Sequence, residues 1–106
     1  MIYKQKFQQL LDLCNSVGIS VVLLFDGELK DYAALHTIIG RQLGFSLDGQ
    51  EMPDNTVYLD GNFVRGGKHK VRCQNLKHEM IEMDLMRKGM NCWVAHCLAL
   101  EEEKNV

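Results

Sequence analysis

The segment from residue 71 to residue 88 predicts a helix that turns charged side chains toward the core. Leucine, isoleucine and methionine recur at helical spacing through its central part, LKHEMIEMDLM. On a helical wheel of about 100° per residue, His78, Glu79 and Glu82 fall inside the apolar arc, and Met80 falls on the solvated side. Burying an ionised carboxylate without a partner costs several kcal/mol. The fold must therefore bring a cation or hydrogen-bond donors to this face of the helix.

The spacing of these residues matches a metal-binding helix with one altered ligand. The zinc-peptidase motif H-E-x-x-H carries two histidines four residues apart, and here Glu82 stands at the second position. A last helix is predicted from the N-cap Asn91 to Glu103. It carries His96 at the middle of a predicted inward stripe, with Glu103 on the same side. That stripe comprises Cys92, Trp93, His96, Ala99 and Leu100.

Two inward polar helices that face one another predict a zinc site. His78, Glu82 and His96 are the candidate ligands, and three protein ligands with one open position are typical of catalytic zinc. Glu103 is an alternative ligand or a residue that supports one. Glu79, beside the ion but not bound to it, is the candidate general base.

A simpler interpretation of the same residues stays open. His78 and Glu82 also fit an ordinary i, i+4 pair on a helix. An inward histidine is more often a hydrogen-bonded core residue than a metal ligand, and His36 is assigned to that class. His69, in a basic segment, is predicted to be exposed.

The remaining chain predicts one α+β domain over residues 1–106, with helices packed on a short sheet of two or three strands. Gly18 and Gly89 are the predicted helix stops. The predicted elements are a helix (3–17), a strand (19–25), a helix (30–43), a loop (44–55), a strand (56–60), a turn (60–62) with a return strand from 63–64, and the two helices already described.

Composition excludes several classes of protein. The net charge of −2 does not favour direct nucleic-acid binding, and the longest apolar run is too short to span a bilayer. The cysteines form no C-x-x-C pair, which predicts reduced thiols and a cytoplasmic location. A metal cluster of Cys73, Cys92 and Cys97 is given little weight because its spacing is unusual.

The chain resembles the small zincin-like metallopeptidases of the ImmA/IrrE type, which occur with phages and mobile elements. The resemblance lies in layout: an N-terminal helix, the strand GISVVLLF, the segment NTVYLDGNF and then LKHEMIEMDLM. It implies that His78 is the first zinc ligand and Glu79 the catalytic base. Glu82 departs from the expected second histidine. The usual acidic third ligand has no evident equivalent, so His96 or Glu103 is proposed there.

The same resemblance implies cleavage of a protein substrate, often a DNA-binding repressor. A carboxylate at Glu82 adds negative charge to the site, which favours a slow, selective or inactive relative. The alternative is a non-catalytic metal-binding or protein-interaction domain. The segment RGGKHKVR (65–72) could then contact phosphate or an acidic partner.

Overall fold

The protein folds as helices around a small mixed sheet, seen in a computed structural model that describes residues 2–25, 27–61 and 69–106. The α+β class and the three-stranded sheet agree with the sequence prediction. The elements are α1 (Ile2–Ser16), β1 (Ser20–Leu24), β2 (Ala34–His36), α2 (Thr37–Gln42), β3 (Ser46–Leu47), β4 (Gln50–Glu51), β5 (Thr56–Asp60), α3 (His69–Arg87) and α4 (Cys92–Glu103).

Strand β5 forms the centre of the sheet. It pairs in parallel with β1, with Val22 opposite Tyr58, and antiparallel with β2, with Leu35 opposite Tyr58. Residues 56–59 are all buried because the sheet is covered on both faces. One face packs against α1 and α3. The core on that side consists of Phe7, Cys14, Ile19, Val57, Leu59, Cys73, Leu76, Met80 and Met83.

The other face of the sheet is covered by the chain between β1 and β5. Its buried apolar side chains are Leu24, Leu29, Leu35, Phe45, Met52 and Tyr58. The hairpin of β3 and β4 belongs to this layer. Residues 44–55, predicted to be a loop, therefore include two short strands, which are too short to show a period in sequence.

Both predicted helix stops are confirmed. Gly18 follows α1 with φ of 76°, and Gly89 follows α3 with φ of 94°. Glycine adopts this left-handed conformation without steric cost, so it closes the last turn of each helix. Asn91 caps α4 as predicted, because its side chain accepts a hydrogen bond from the Trp93 N–H. No helix in the described ranges is long and apolar enough to cross a membrane.

The predicted helix over residues 30–43 is wrong in its first half. Residues 34–36 form the edge strand β2, and only Thr37–Gln42 is helical. The apolar spacing suited a helix, but backbone pairing with β5 makes residues 34–36 a strand. Gly40 also has a packing role, because a Cβ there would collide with the Met52 sulfur. The return strand predicted at 63–64 lies outside the described residues.

Burial corrects four other expectations about the two site helices. Met80, placed on the solvated side, is buried in the core. Arg72 is buried as well, with its guanidinium 3.9 Å from the centroid of the Phe7 ring. His69 is half-buried at the first turn of α3 rather than exposed in a loop. Trp93, assigned to an inward stripe, is 75% exposed.

The four thiols divide into two buried and two accessible groups. Cys14 and Cys73 are fully buried, and burial raises the pKa of Cys14 to about 11. Cys92 is partly exposed and Cys97 is exposed. Because a thiolate is the reactive form, about one Cys14 side chain in a thousand is ionised near pH 8.

We therefore expect a thiol reagent at about pH 8 to modify Cys97 rapidly, Cys92 more slowly, and Cys14 and Cys73 only after unfolding. Absorbance of the released chromophore measures the count, and guanidinium-unfolded protein supplies the total of four. Rapid modification of Cys14 in folded protein would contradict the buried arrangement.

Candidate metal centre

Two helices bring the candidate residues together. The middle of α3 supplies His78, Glu79 and Glu82. The turn at Gly89 reverses the chain, so that α4 packs back along α3 and presents His96 and Glu103. These two residues are seven apart, which is close to two helical turns, and they therefore share one side of α4.

The carboxylate of Glu82 lies at the centre of the cluster. Its Oε2 atom is 3.0 Å from His78 Nε2 and 2.8 Å from His96 Nδ1. Its Oε1 atom is 2.8 Å from His36 Nε2. The rings of His78 and His96 meet edge to face, with centroids 4.8 Å apart. One buried carboxylate thus joins three imidazoles.

His78 is held between two carboxylates. Its Nε2 faces Glu82, and its Nδ1 lies 2.8 Å from Glu103 Oε1. A carboxylate only accepts hydrogen bonds, so Nδ1 carries a proton that points at Glu103. The ring is therefore fixed in orientation, with Nε2 directed at the centre of the cluster.

Glu79 lies beside these residues with no side-chain hydrogen bond to any described residue. It is nearly buried, and burial raises its pKa to about 7. The nearby Glu82 carboxylate also raises the pKa, while His36 lowers it. Glu79 is thus a carboxyl group able to take up and release a proton near neutral pH.

The ionisation of the other two α3 groups follows from their contacts. Burial alone would raise the pKa of Glu82, but hydrogen bonds from His36, His78 and His96 outweigh it and hold this pKa well below its usual range. The hydrogen bond to Glu82 raises the pKa of His78, against the opposing effect of burial. The carboxylate at the centre therefore stays charged in the folded protein.

Two groups of side chains in the described part of the chain lie close enough to hold a metal ion. One comprises His78, Glu82 and His96, and the other comprises His36, Glu79 and Glu82. In each group the ligand atoms lie within 4.8 Å of one another. Neither group contains a cysteine, and Cys73 lies in the core, where its thiol donates to the Tyr3 carbonyl. The structure therefore does not bring together a cluster of Cys73, Cys92 and Cys97.

An open pocket of about 320 Å³ leads to the cluster. Four site residues, His78, Glu79, Glu82 and His96, contribute its polar part. Its other walls are mostly apolar, from β2, α2 and the start of α4. The main apolar members are Tyr32, Leu35, Ile39, Leu43 and Trp93.

His96 lies at the rim of the pocket rather than in a buried stripe. Its side chain is 46% exposed, and Ala95 and Ala99 are the fully buried residues of α4. The buried side of α4 lies about one position from the predicted stripe. Apolar residues occur on several sides of α4, so helical periodicity does not show which side is buried. The candidate ligand nevertheless reaches Glu82.

His36 belongs to the cluster, although the sequence pattern assigned it to the core and not to the metal site. It is a buried, hydrogen-bonded histidine as predicted, yet its partner is Glu82, 46 residues away. A lone histidine within a predicted helix carries no local signal for such a contact.

Comparison with protein families, curated proteins and solved structures found no match to this chain.

Proposed function

We propose that this protein is a zinc-dependent peptidase whose ion is held by His78, Glu82 and His96. The observation that carries this proposal is the convergence of three ligand atoms on one point at the end of an open pocket. Two of these atoms come from α3 and one comes from α4.

The dimensions of the cluster suit a zinc ion. Ligand atoms about 2.0–2.1 Å from a tetrahedral zinc ion lie about 3.3 Å from one another. The Glu82 oxygen is 3.0 and 2.8 Å from the two imidazole nitrogens, so small outward shifts make room for the ion. His78 Nε2 and His96 Nδ1 each donate a proton to Glu82 Oε2, and an ion bound by these three atoms would replace both protons. The site need not be rebuilt.

The contact between Glu103 and His78 also suits a metal centre. A metal-bound histidine commonly donates its other ring N–H to a carboxylate, which fixes the ring and makes the ligand nitrogen more basic. Glu103 holds Nδ1 of His78 in this way at 2.8 Å. We therefore assign Glu103 the role of supporting His78, in preference to binding the ion itself.

The ligand set has the charge of an ordinary catalytic zinc site. Two imidazoles and one carboxylate form the set found in several zinc peptidases. In the family that the sequence resembles, the second ligand is a histidine and the third is acidic. Here Glu82 takes the second position and His96 the third. The negative charge that Glu82 adds is thereby offset.

Glu79 supplies the acid–base chemistry of the proposed reaction. A bound zinc ion contributes Lewis acidity toward a peptide carbonyl and makes a nearby water more acidic. The Glu79 carboxylate takes the proton from the attacking water and delivers it to the departing amine. Glu79 lines the pocket and makes no side-chain hydrogen bond to a described residue, so its oxygens are free for this role.

The surroundings of the cluster suit a peptide with an apolar side chain. The pocket walls formed by Leu35, Ile39, Leu43 and Trp93 would take that side chain. Strand β2 pairs only with β5 among the described strands, so its other edge can pair with an extended segment. A DNA-binding repressor encoded with a mobile element is the proposed substrate, on the strength of the resemblance to ImmA/IrrE proteins.

Metal content tests this proposal. We expect tag-free protein to contain about one zinc per chain and His78→Ala to lose it. Zinc at about 1,000 times its Kd should stabilise the wild-type fold by about 4 kcal/mol, which thermal unfolding detects. Lys77→Ala, next to His78 on α3, is the matched control and should bind zinc like the wild type.

Two results would contradict the zinc assignment. A well-folded wild-type chain that takes up no zinc on titration would leave only a hydrogen-bonded cluster. Retention of iron in preference to zinc would indicate instead the two-histidine, one-carboxylate centre of non-haem iron enzymes.

A second candidate function is a non-catalytic interaction domain. The observation in its favour is the exposure of three large apolar side chains of α4, Trp93, Val94 and Leu98. Such a surface on a helix is typical of contact with another protein. The basic segment offers less support than predicted, because Arg72 is buried and Arg65 and Lys68 lie outside the described residues.

A further inference from the structure

His36 lies at a junction between the sheet and the metal centre. It is the last residue of β2 and the N-cap of α2, and its side chain is fully buried. The two nitrogens of its ring contact different elements. Nδ1 accepts a hydrogen bond from the Ile39 N–H at 3.4 Å, and Nε2 lies 2.8 Å from Glu82 Oε1.

These contacts determine where the proton of the ring resides. A nitrogen that accepts from a backbone N–H presents its lone pair, so the proton of a neutral imidazole must be on the other nitrogen. His36 therefore donates Nε2–H to Glu82. The cap at the start of α2 selects the tautomer that makes His36 a donor and excludes it as a ligand through Nε2.

Glu82 needs such a donor more than a histidine would at the same position. A carboxylate rotates readily about its last bond, so the position of its oxygens relative to an ion is not fixed unless a donor holds one of them. Among the described residues, His36 alone donates to Oε1. With Oε1 held, Oε2 is left facing His78 and His96.

We infer that His36 is a positioning residue that orients Glu82 as a metal ligand, and so allows a glutamate to stand where this type of helix otherwise carries a second histidine. The inference rests on the proposed zinc site. It assigns His36 an action through Glu82, with no contact between His36 and the ion.

Two substitutions separate the two contacts of His36. His36→Asn keeps an acceptor near the Nδ1 position, and asparagine is a good N-cap, but its side chain is too short to reach Glu82. His36→Gln places an amide N–H near the Nε2 position and gives up the cap. The first variant removes the donor to Glu82 and the second retains it.

We expect His36→Asn to lower zinc affinity by about 10–100-fold, the usual effect of losing a group that orients a ligand. His36→Gln should bind zinc close to the wild-type level even where its metal-free form is less stable. Competition with a chromophoric chelator measures the affinity, and thermal unfolding of metal-free protein measures stability separately. The visible spectrum of the cobalt-substituted protein should change in His36→Asn and be retained in His36→Gln.

The tautomer can also be observed without any substitution. A long-range proton–nitrogen NMR correlation spectrum of zinc-loaded wild type should show His36 protonated on Nε2. Protonation on Nδ1 instead would contradict the inference even if His36→Asn fails to fold.

Three results would overturn the inference alone. If zinc affinity falls in step with the stability of the metal-free protein in both variants, His36 has a purely structural role. Equal affinity in both variants and wild type would show no role at all. Two zinc ions per wild-type chain, with His36 deprotonated on Nε2, would make His36 a ligand of a second ion with Glu79 and Glu82. Wild type that binds no zinc would instead overturn the proposed function together with this inference.

Discussion

Glu79→Gln is expected to lower peptidase activity by about 10²–10⁴-fold while the chain keeps its zinc. Glutamine has nearly the shape of glutamate but cannot accept a proton from water. Glu79 makes no side-chain hydrogen bond to a described residue, so its replacement leaves the contacts of Glu82 with the three imidazoles in place. Loss of activity should therefore come without loss of the fold or the ion.

The measurement pairs metal content with cleavage of a mixture of peptides, read by mass spectrometry. Glu102→Gln, on the exposed side of α4, is the matched control and should leave both readouts unchanged. If Glu79→Gln loses zinc while Glu82→Ala keeps it, the assigned roles of the two residues are reversed. If zinc-loaded wild type cleaves no peptide and no repressor protein, the non-catalytic function takes precedence.

Glu82→Ala is expected to abolish measurable zinc binding and also to destabilise the metal-free fold. The substitution removes a ligand and the common acceptor of His36, His78 and His96. Removing one partner from a buried charged network costs about 3–5 kcal/mol. For a domain of this size that corresponds to a fall in Tm of roughly 10–20 °C.

Calorimetry of metal-free protein and zinc titration measure the two effects independently. Glu82→Gln serves as the shape-matched variant, since it keeps an acceptor for His36 and should fold better than Glu82→Ala while still binding zinc weakly. Glu101→Ala, an exposed residue that pairs only with Lys104 among the described contacts, should change Tm little. Wild-type Tm and zinc binding in Glu82→Ala would show that the cluster has neither role.

The helices were the part of the fold most visible in the sequence. Gly18 and Gly89 end α1 and α3 because the left-handed conformation at a helix terminus is a local requirement that glycine meets. Asn91 likewise caps α4 through a contact two residues away. Signals of this kind act over a few residues, and sequence patterns therefore report them well.

Elements that depend on distant pairing were harder to predict. The segment 34–36 has apolar spacing that suits a helix, yet it becomes a strand because β5 offers backbone partners along its antiparallel edge. Met80 was placed in solvent because the wheel assumed one apolar face. In the structure α3 is covered by α1 and the sheet on one side and by α4 on another, so most of its circumference is buried.

The sequence by itself determined that His78, Glu79 and Glu82 share the inward side of one helix, because helical periodicity fixes which residues lie together within two turns. It also indicated His96 and Glu103 as residues on one side of the last helix. Only the tertiary structure decided how these helices meet, which places His96 at Glu82 and Glu103 at the opposite nitrogen of His78. The same packing set His36 against Glu82 across 46 residues of chain. Contacts of that kind depend on the docking of a strand end against a helix, and no local pattern of residues encodes them.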